Sequence, residues 1–372
     1  MPPDSLTDLH LAPAATRRPP RLLVWQWGRR GSPPRLAAAL ADGLRSTGAE
    51  VKLSLSTAAE LLSAPDAPTN DLPVVTYTRA AGFAARFGAI PLTAPSLARR
   101  IAACRPDAAV CAMPGPLDLW MATALARLNI PFAVIVHDAL SHPGDGRLLQ
   151  MPLQRALCRR AAVLMSWSAP VGVALRAQGF GRNGQILAAG FHPPLRFGTP
   201  PPPAFAHGGP PRLLFFGRFL RYKGLDLLAA AAARLGAPGC QLRVVGAGPD
   251  SPALAALRAL PWAQVENRWV PEAEIAALLA WADALILPYT EASQSGVAAA
   301  ALAAGRAVLA TTVGGLPEQL AGETLARLCA PDADHLAASW RGLLSDPPRG
   351  MPADAAAGWA RAGAGMLAAL RR

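Results

Sequence analysis

Residues 212–235 read RLLFFGRFLRYKGLDLLAAAAARL, and the rest of the chain falls into place around them. Arg212 to Phe216 is a short apolar run bounded by Pro211 and Gly217, the pattern of a strand buried on both faces. From Gly224 apolar residues recur at helical spacing as far as Leu235, with alanine, the best helix former, filling the turns. The connecting loop carries Arg218, Arg221 and Lys223 between Gly217 and Gly224, so three cations stand just before a helix N-terminus. An arginine and a lysine five residues apart in that position suit a diphosphate whose charge must be held as it departs. A surface loop with incidental cations is the alternative reading of the spacing alone.

The alternation continues downstream, with predicted strands at 241–246, 265–269, 284–288 and 307–311 and helices at 252–260, 272–281 and 296–304. Upstream, strands are expected at 21–27, 51–55, 72–77, 108–111, 132–136, 163–167 and 186–187, with helices at 35–47, 94–104 and 117–128. Strands separated by helices imply parallel α/β sheets. Between the two series lies PPLRFGTPPPPAFAHGGPP, residues 193–211, which can continue neither a helix nor an internal strand. The expected organisation is an irregular leader (1–20), a Rossmann-like domain (21–192), a linker (193–211), a second such domain (212–352) and a C-terminal helix (353–372) packing back on the first. A length of 372 residues supports two cores of this size.

In open α/β sheets ligands bind beyond the carboxyl ends of the strands. Val245-Gly246-Ala247-Gly248 is a tight turn that serves either close packing or the approach of a base or ribose. Pro288 to Gly296 places Glu291, Ser293, Gln294, Ser295 and Gly296 ahead of an alanine helix; such a cluster cradles an anion, or Ser293 or Ser295 simply caps the helix. A fourth loop, Thr311 to Glu318, follows. In the first half, Gly28 and Gly31 frame the loop after the first strand. His137 and Asp138 end another strand, with His142 and Asp145 in the same loop.

Taken together these loops resemble the C-terminal domain of the family 4 glycosyltransferases, a retaining group of GT-B architecture. The matching pieces are G-R-x-x-x-x-K-G at 217–224, V-G-x-G at 245–248, the acidic loop 291–296, G-x-x-V-x-A-T at 305–311 and V-G-G-L-P-E at 313–318. The resemblance implies two Rossmann-like, doubly wound parallel-sheet domains facing a central cleft. It further implies that Arg218 and Lys223 hold the donor diphosphate and that Glu291 binds hydroxyls of the donor sugar. The 293–296 loop, Gly217, Gly246, Gly248 and Glu318 belong to the donor side, Gly28 and Gly31 approach the donor phosphate from across the cleft, and His137 stands beside the donor sugar. No metal or cofactor is expected; a nucleotide-diphosphate sugar serves as co-substrate. Most relatives carry a second glutamate eight positions after the first, where it contacts the ribose. Here Ala299 occupies that place, with Ala300 beside it, and the Ser-Gln-Ser-Gly loop marks a subset of the family.

Composition narrows the remaining choices. The chain is 52% hydrophobic with a mean hydropathy of +0.24, yet no uninterrupted apolar run of about 18 residues could span a bilayer. The N-terminal residues do not form a secretory signal, which points to a cytoplasmic chain. Five scattered cysteines argue against both a disulfide framework and a zinc site. Of the net charge of +12, residues 1–200 carry 21 Lys and Arg against 11 Asp and Glu. Residues 151–200 hold six arginines and no acid, a field suited to an anionic membrane surface or, equally, a solvated arginine face. No recognition helix or aromatic platform accompanies it, which speaks against nucleic acid. The sequence thus predicts sugar transfer, against two rival readings: a nucleotide-sugar epimerase of GT-B shape, or a degenerate non-catalytic sugar-nucleotide-binding protein. A dehydrogenase is disfavoured because no GxGxxG follows the first strand. If transfer inverts configuration, Asp138, His137 or His142 must act as general base.

Overall fold

The computed structural model describes residues 18–77, 79–142, 149–236 and 239–372. The first domain contains β1 (Arg21–Gln26), β2 (Glu50–Leu55), β3 (Ala108–Cys111), β4 (Phe132–Val136), β5 (Val163–Ser166) and β6 (Ile186–Ala189), all parallel, in the order β2-β1-β3-β4-β5-β6. The second contains β7 (Arg212–Phe216), β8 (Gln241–Gly246), β9 (Ala263–Asn267), β10 (Ala284–Leu287), β11 (Ala307–Thr311) and β12 (Ala326–Cys329), in the order β12-β11-β10-β7-β8-β9. Strand order therefore reverses between β1 and β3 in one sheet and between β7 and β10 in the other, the points where doubly wound sheets open a ligand crevice. The fold is the two-domain, Rossmann-like GT-B arrangement.

Burial follows from the strand composition. Leu213, Leu214, Leu285 and Leu309 are 0% exposed, because helices cover both faces of a parallel sheet. The alanine helix Gly296–Ala303 is buried along Ala298 to Ala301, where small side chains let it lie close to the sheet. Residues 72–77 do not form the expected strand: only a single bridge, Ser56 to Val74, remains beside β2, next to Pro73, which lacks a backbone donor. The strand expected at 265–269 runs instead over Ala263–Asn267. Helices Ala80–Gly88, Gln150–Cys158, Ala169–Ala177 and Ala333–Ser345 and strand β12 are additional to the expected elements.

Several contacts tie the halves together. The linker is stitched to the second domain by Asp283, which accepts from Phe205 N at 2.6 Å, Arg212 N at 2.8 Å and His207 Nε2 at 2.8 Å. Helix Ala355–Leu370 crosses helix Pro33–Arg45 of the first domain so closely that a Cβ on Gly43 would lie 2.2 Å from Trp359 O. Arg35, 11% exposed, donates across the boundary to Glu272 and also pairs with Asp66 at 2.8 Å.

Candidate functional site

The loop after β7 owes its shape to its neighbours. Gly224 sits at φ +73°, and a Cβ there would fall 1.7 Å from Pro288 O. A Cβ on Gly246 would fall equally close to Gly217 O, while Phe219 N donates to Ala247 O at 2.8 Å. The V-G-x-G turn therefore serves close packing against the cationic loop, and Gly248 likewise faces Phe219. This packing holds the cationic loop at the β7/β10 switch point.

There Arg218 Nη2 donates to Tyr222 Oη at 3.0 Å, and Lys223 Nζ lies 3.8 Å from the centre of the Tyr289 ring. Tyr289 is buried, and burial pushes its phenol up to about 12, so it stays neutral beneath the cations. Tyr222 and Tyr289 are site residues that the motif pattern hid, because both stand at positions read only as spacers or strand ends.

His137 ends β4 on the opposite wall, 5% exposed. Its Nε2–H donates to Ala112 O at 3.0 Å, which leaves Nδ1 to accept from Gln294 Nε2 at 2.6 Å. Burial, with His192 nearby, drives its pKa down to about 3, so the ring is a neutral imidazole with both nitrogens engaged. Gln294 Oε1 is buried and has no hydrogen-bond partner among the described residues. A buried acceptor of this kind fits a ligand hydroxyl.

His142 joins the two domains. Its Nε2 lies 3.2 Å from Asp138 Oδ1 and 3.4 Å from Ser293 Oγ, its Nδ1 lies 3.5 Å from Glu291 Oε2, and its ring stacks on Tyr222 at 4.5 Å. Burial works to raise the Asp138 pKa, but hydrogen bonds from His142 and Ser293 prevail and hold it below the usual carboxylate range. Asp138 is therefore a carboxylate, the correct state for a base. Asp145 lies outside the described residues.

Other predicted residues take part differently. Ser295 caps the alanine helix, accepting from Ala298 N at 3.2 Å, while Gln319 engages its backbone N and O at 2.8 and 2.9 Å. Gly296 stands near Ser32 of the first domain, 3.7 Å from its Oγ measured at the position of an added Cβ. Glu318 accepts from Ala169 N at 2.7 Å, spanning the domains. Gly28 N donates to Gln26 Oε1 at 2.7 Å, and Gly31, at φ +75°, packs near Trp269. Ala299 and Ala300 are 1% and 2% exposed, and Ala299 O accepts from Leu195 N at 3.1 Å. Among the described residues no cluster of three His, Cys, Asp or Glu is arranged to hold a metal ion.

Comparison with known proteins places each half. Residues 31–189 match the family described as glycosyl transferase 4-like domain, and residues 210–346 match glycosyl transferases group 1. The alpha-maltose-1-phosphate synthase of Mycolicibacterium smegmatis is 33% identical over 155 residues, 37% of this chain and 40% of that protein. The chain thus spans about two fifths of that relative's length. Among solved structures, the Anabaena HepE protein in complex with UDP and glucose superposes with a TM-score of 0.63 at 16% identity, over 92% of this chain and 94% of that one. The UDP-GlcNAc 2-epimerase of Neisseria meningitidis, bound to UDP-GlcNAc, gives 0.59 at 10% identity, over 94% and 99%.

Proposed function

From a chain that joins a glycosyl transferase 4-like domain to a group 1 glycosyl transferase domain in one GT-B fold, we propose sugar transfer from a nucleotide-diphosphate sugar to a saccharide or lipid-linked acceptor, with retention and without a metal. The reaction belongs to polysaccharide or glycoconjugate assembly. The observation that carries this reading is the convergence of Arg218 and Lys223 on the Tyr222–Tyr289 pair at the β7/β10 switch point, opposite the Gln294–His137 pair.

The chemistry asks for a stabilised leaving group, an oriented acceptor hydroxyl and excluded water. Arg218 and Lys223 neutralise the departing diphosphate. Gln294 Oε1 accepts from a donor-sugar hydroxyl, and Glu291 binds another. His137, with both nitrogens engaged, positions Gln294 rather than moving a proton. In a retaining reaction the donor phosphate accepts the acceptor proton, and Asp138 is left to orient the acceptor through His142.

The GT-B epimerase is the second reading, favoured by the structural likeness to the Neisseria enzyme. Incubation with nucleotide sugars in the absence of acceptor separates them: interconversion of the sugar nucleotide supports epimerisation, and acceptor-dependent product supports transfer. Arg155, Arg159, Arg160, Arg176, Arg182 and Arg196 are all exposed, which supports a peripheral contact with an anionic membrane. Among the described residues no helix is long and apolar enough to cross a membrane. Flotation with anionic and neutral liposomes tests the contact, and equal flotation with both removes it.

A further inference from the structure

On the Trp167 side of His137 lies a cavity of about 350 Å³, which shares only Glu318 and Ala299 with the positions assigned to the donor side. Its polar wall is formed by His192, Glu318, Glu323, Asp354 and Arg361, and its apolar wall by Leu302. These residues come from the end of the first domain, the second domain, and the C-terminal helix Ala355–Leu370 with its approach, so the cavity sits where the parts of the molecule meet.

The wall is rich in hydrogen-bond acceptors. His192 is 7% exposed and donates from Nδ1 to Pro193 O at 2.9 Å, so its Nε2 carries a lone pair, with no hydrogen bond among the described residues. Burial drives its pKa down to about 4, which keeps that lone pair available near neutral pH. Glu318 and Asp354 each commit one oxygen to a backbone N–H, Ala169 and Ala357, leaving the other oxygen of each without a hydrogen bond among the described residues. Arg361, its guanidinium 5.3 Å from the Phe191 ring, is the one cationic donor in the wall among the described residues. Three carboxylates against one arginine repel a phosphate. Convergent acceptors, one forked donor and an aliphatic face match a ligand with many hydroxyls and exposed C–H surface.

We propose that this cavity binds a neutral saccharide and that its occupancy is transmitted to the donor loop. Gln319 lines the cavity and grips both backbone groups of Ser295, the cap of the helix that opens at the donor loop. Trp167 and His192 lie 4.6 Å and 6.2 Å, ring to ring, from His137. A ligand touching all of these walls links the two domains behind the donor site.

The test is calorimetric titration of the full chain, without nucleotide, using glucose, mannose, galactose, maltose and maltotriose, with spermidine as the cationic control. At least one saccharide is expected to bind saturably; Arg361→Ala should weaken it about tenfold, the scale of one lost charge-assisted hydrogen bond, and Leu302→Trp, by filling the cavity, by about tenfold or more. Arg218→Ala is expected to keep saccharide affinity. Affinity that rises from glucose to maltotriose identifies a glycan segment as the occupant; equal affinity identifies a free sugar. The proposal is overturned if no saccharide binds, if only spermidine binds, or if both cavity variants bind as the wild type does. Nucleotide binding measured on the same samples shows whether the donor reading stands independently.

Discussion

Gln294 donates to His137 Nδ1 at 2.6 Å across the domain boundary, while His137 Nε2 is committed to Ala112 O. The 291–296 loop of one domain is thereby keyed to a neutral imidazole of the other. Gln294→Ala removes the key and leaves a buried ring nitrogen unpaired, which costs about 1–3 kcal/mol. A fall in kcat of roughly tenfold or more should accompany it, because the acceptor aimed at the sugar is lost. Steady-state kinetics and urea unfolding of the variant check both. Unchanged kcat means that Gln294 does not touch the reacting sugar.

Lys223 lies 3.8 Å from the Tyr289 ring centre, a seat shaped for an ammonium. Lys223→Ala should lower kcat/KM by roughly 10²–10³, the cost of removing one group that stabilises developing charge. Lys223→Arg should not restore it fully, since the planar guanidinium is wider than the seat. The pair of variants is assayed with the donor that binds wild type.

Ala299, at the position where the family resemblance implies a ribose-binding glutamate, is 1% exposed. Ala299→Glu should therefore not tighten nucleotide binding. It buries an unpaired carboxylate and should lower stability by several kcal/mol. Thermal unfolding and nucleotide titration of Ala299→Glu decide the point, and tighter binding in a stable variant would refute it.

Acid should destabilise the protein. His137 and His192 are held at about 3 and about 4 against an ordinary 6.5. The folded state then binds fewer protons than the unfolded state, so stability present above pH 6.5 is lost as pH falls towards those values. At pH 5 the loss is on the order of 2 kcal/mol from each ring. Asp118 acts in the opposite sense: burial pushes its carboxyl up to about 6, so protonation below that pH favours the folded state. Its gain, about 1 kcal/mol at pH 5, offsets only part of the loss. Urea midpoints at pH 7.5 and 5 should differ accordingly, and His192→Asn should shrink the difference.

Much of this was legible in the sequence. The buried apolar runs at 212–216 and 307–311 announce parallel strands because both faces must be covered, and the structure places β7 and β11 there. Residues 193–211 form neither helix nor strand, as their prolines require. Helix Ala169–Ala177 was harder to read because it is short, opens on Pro170 and contains Gly172, a poor helix former. Within the site, the cationic loop could be read from spacing. The Gln294–His137 pair could not, since its partners stand 157 residues apart and only the closure of two domains brings them together.

The central claim is that the β7/β10 switch point holds a nucleotide diphosphate on Arg218 and Lys223. Calorimetric titration of wild type and an Arg218→Ala, Lys223→Ala double variant with UDP, GDP and ADP tests it most directly. At least one nucleotide is expected to bind wild type, and the double variant to bind it at least about 100-fold more weakly, the sum of two lost charge-assisted contacts. Equal affinity in the two proteins, or no binding of any nucleotide to wild type, would contradict it.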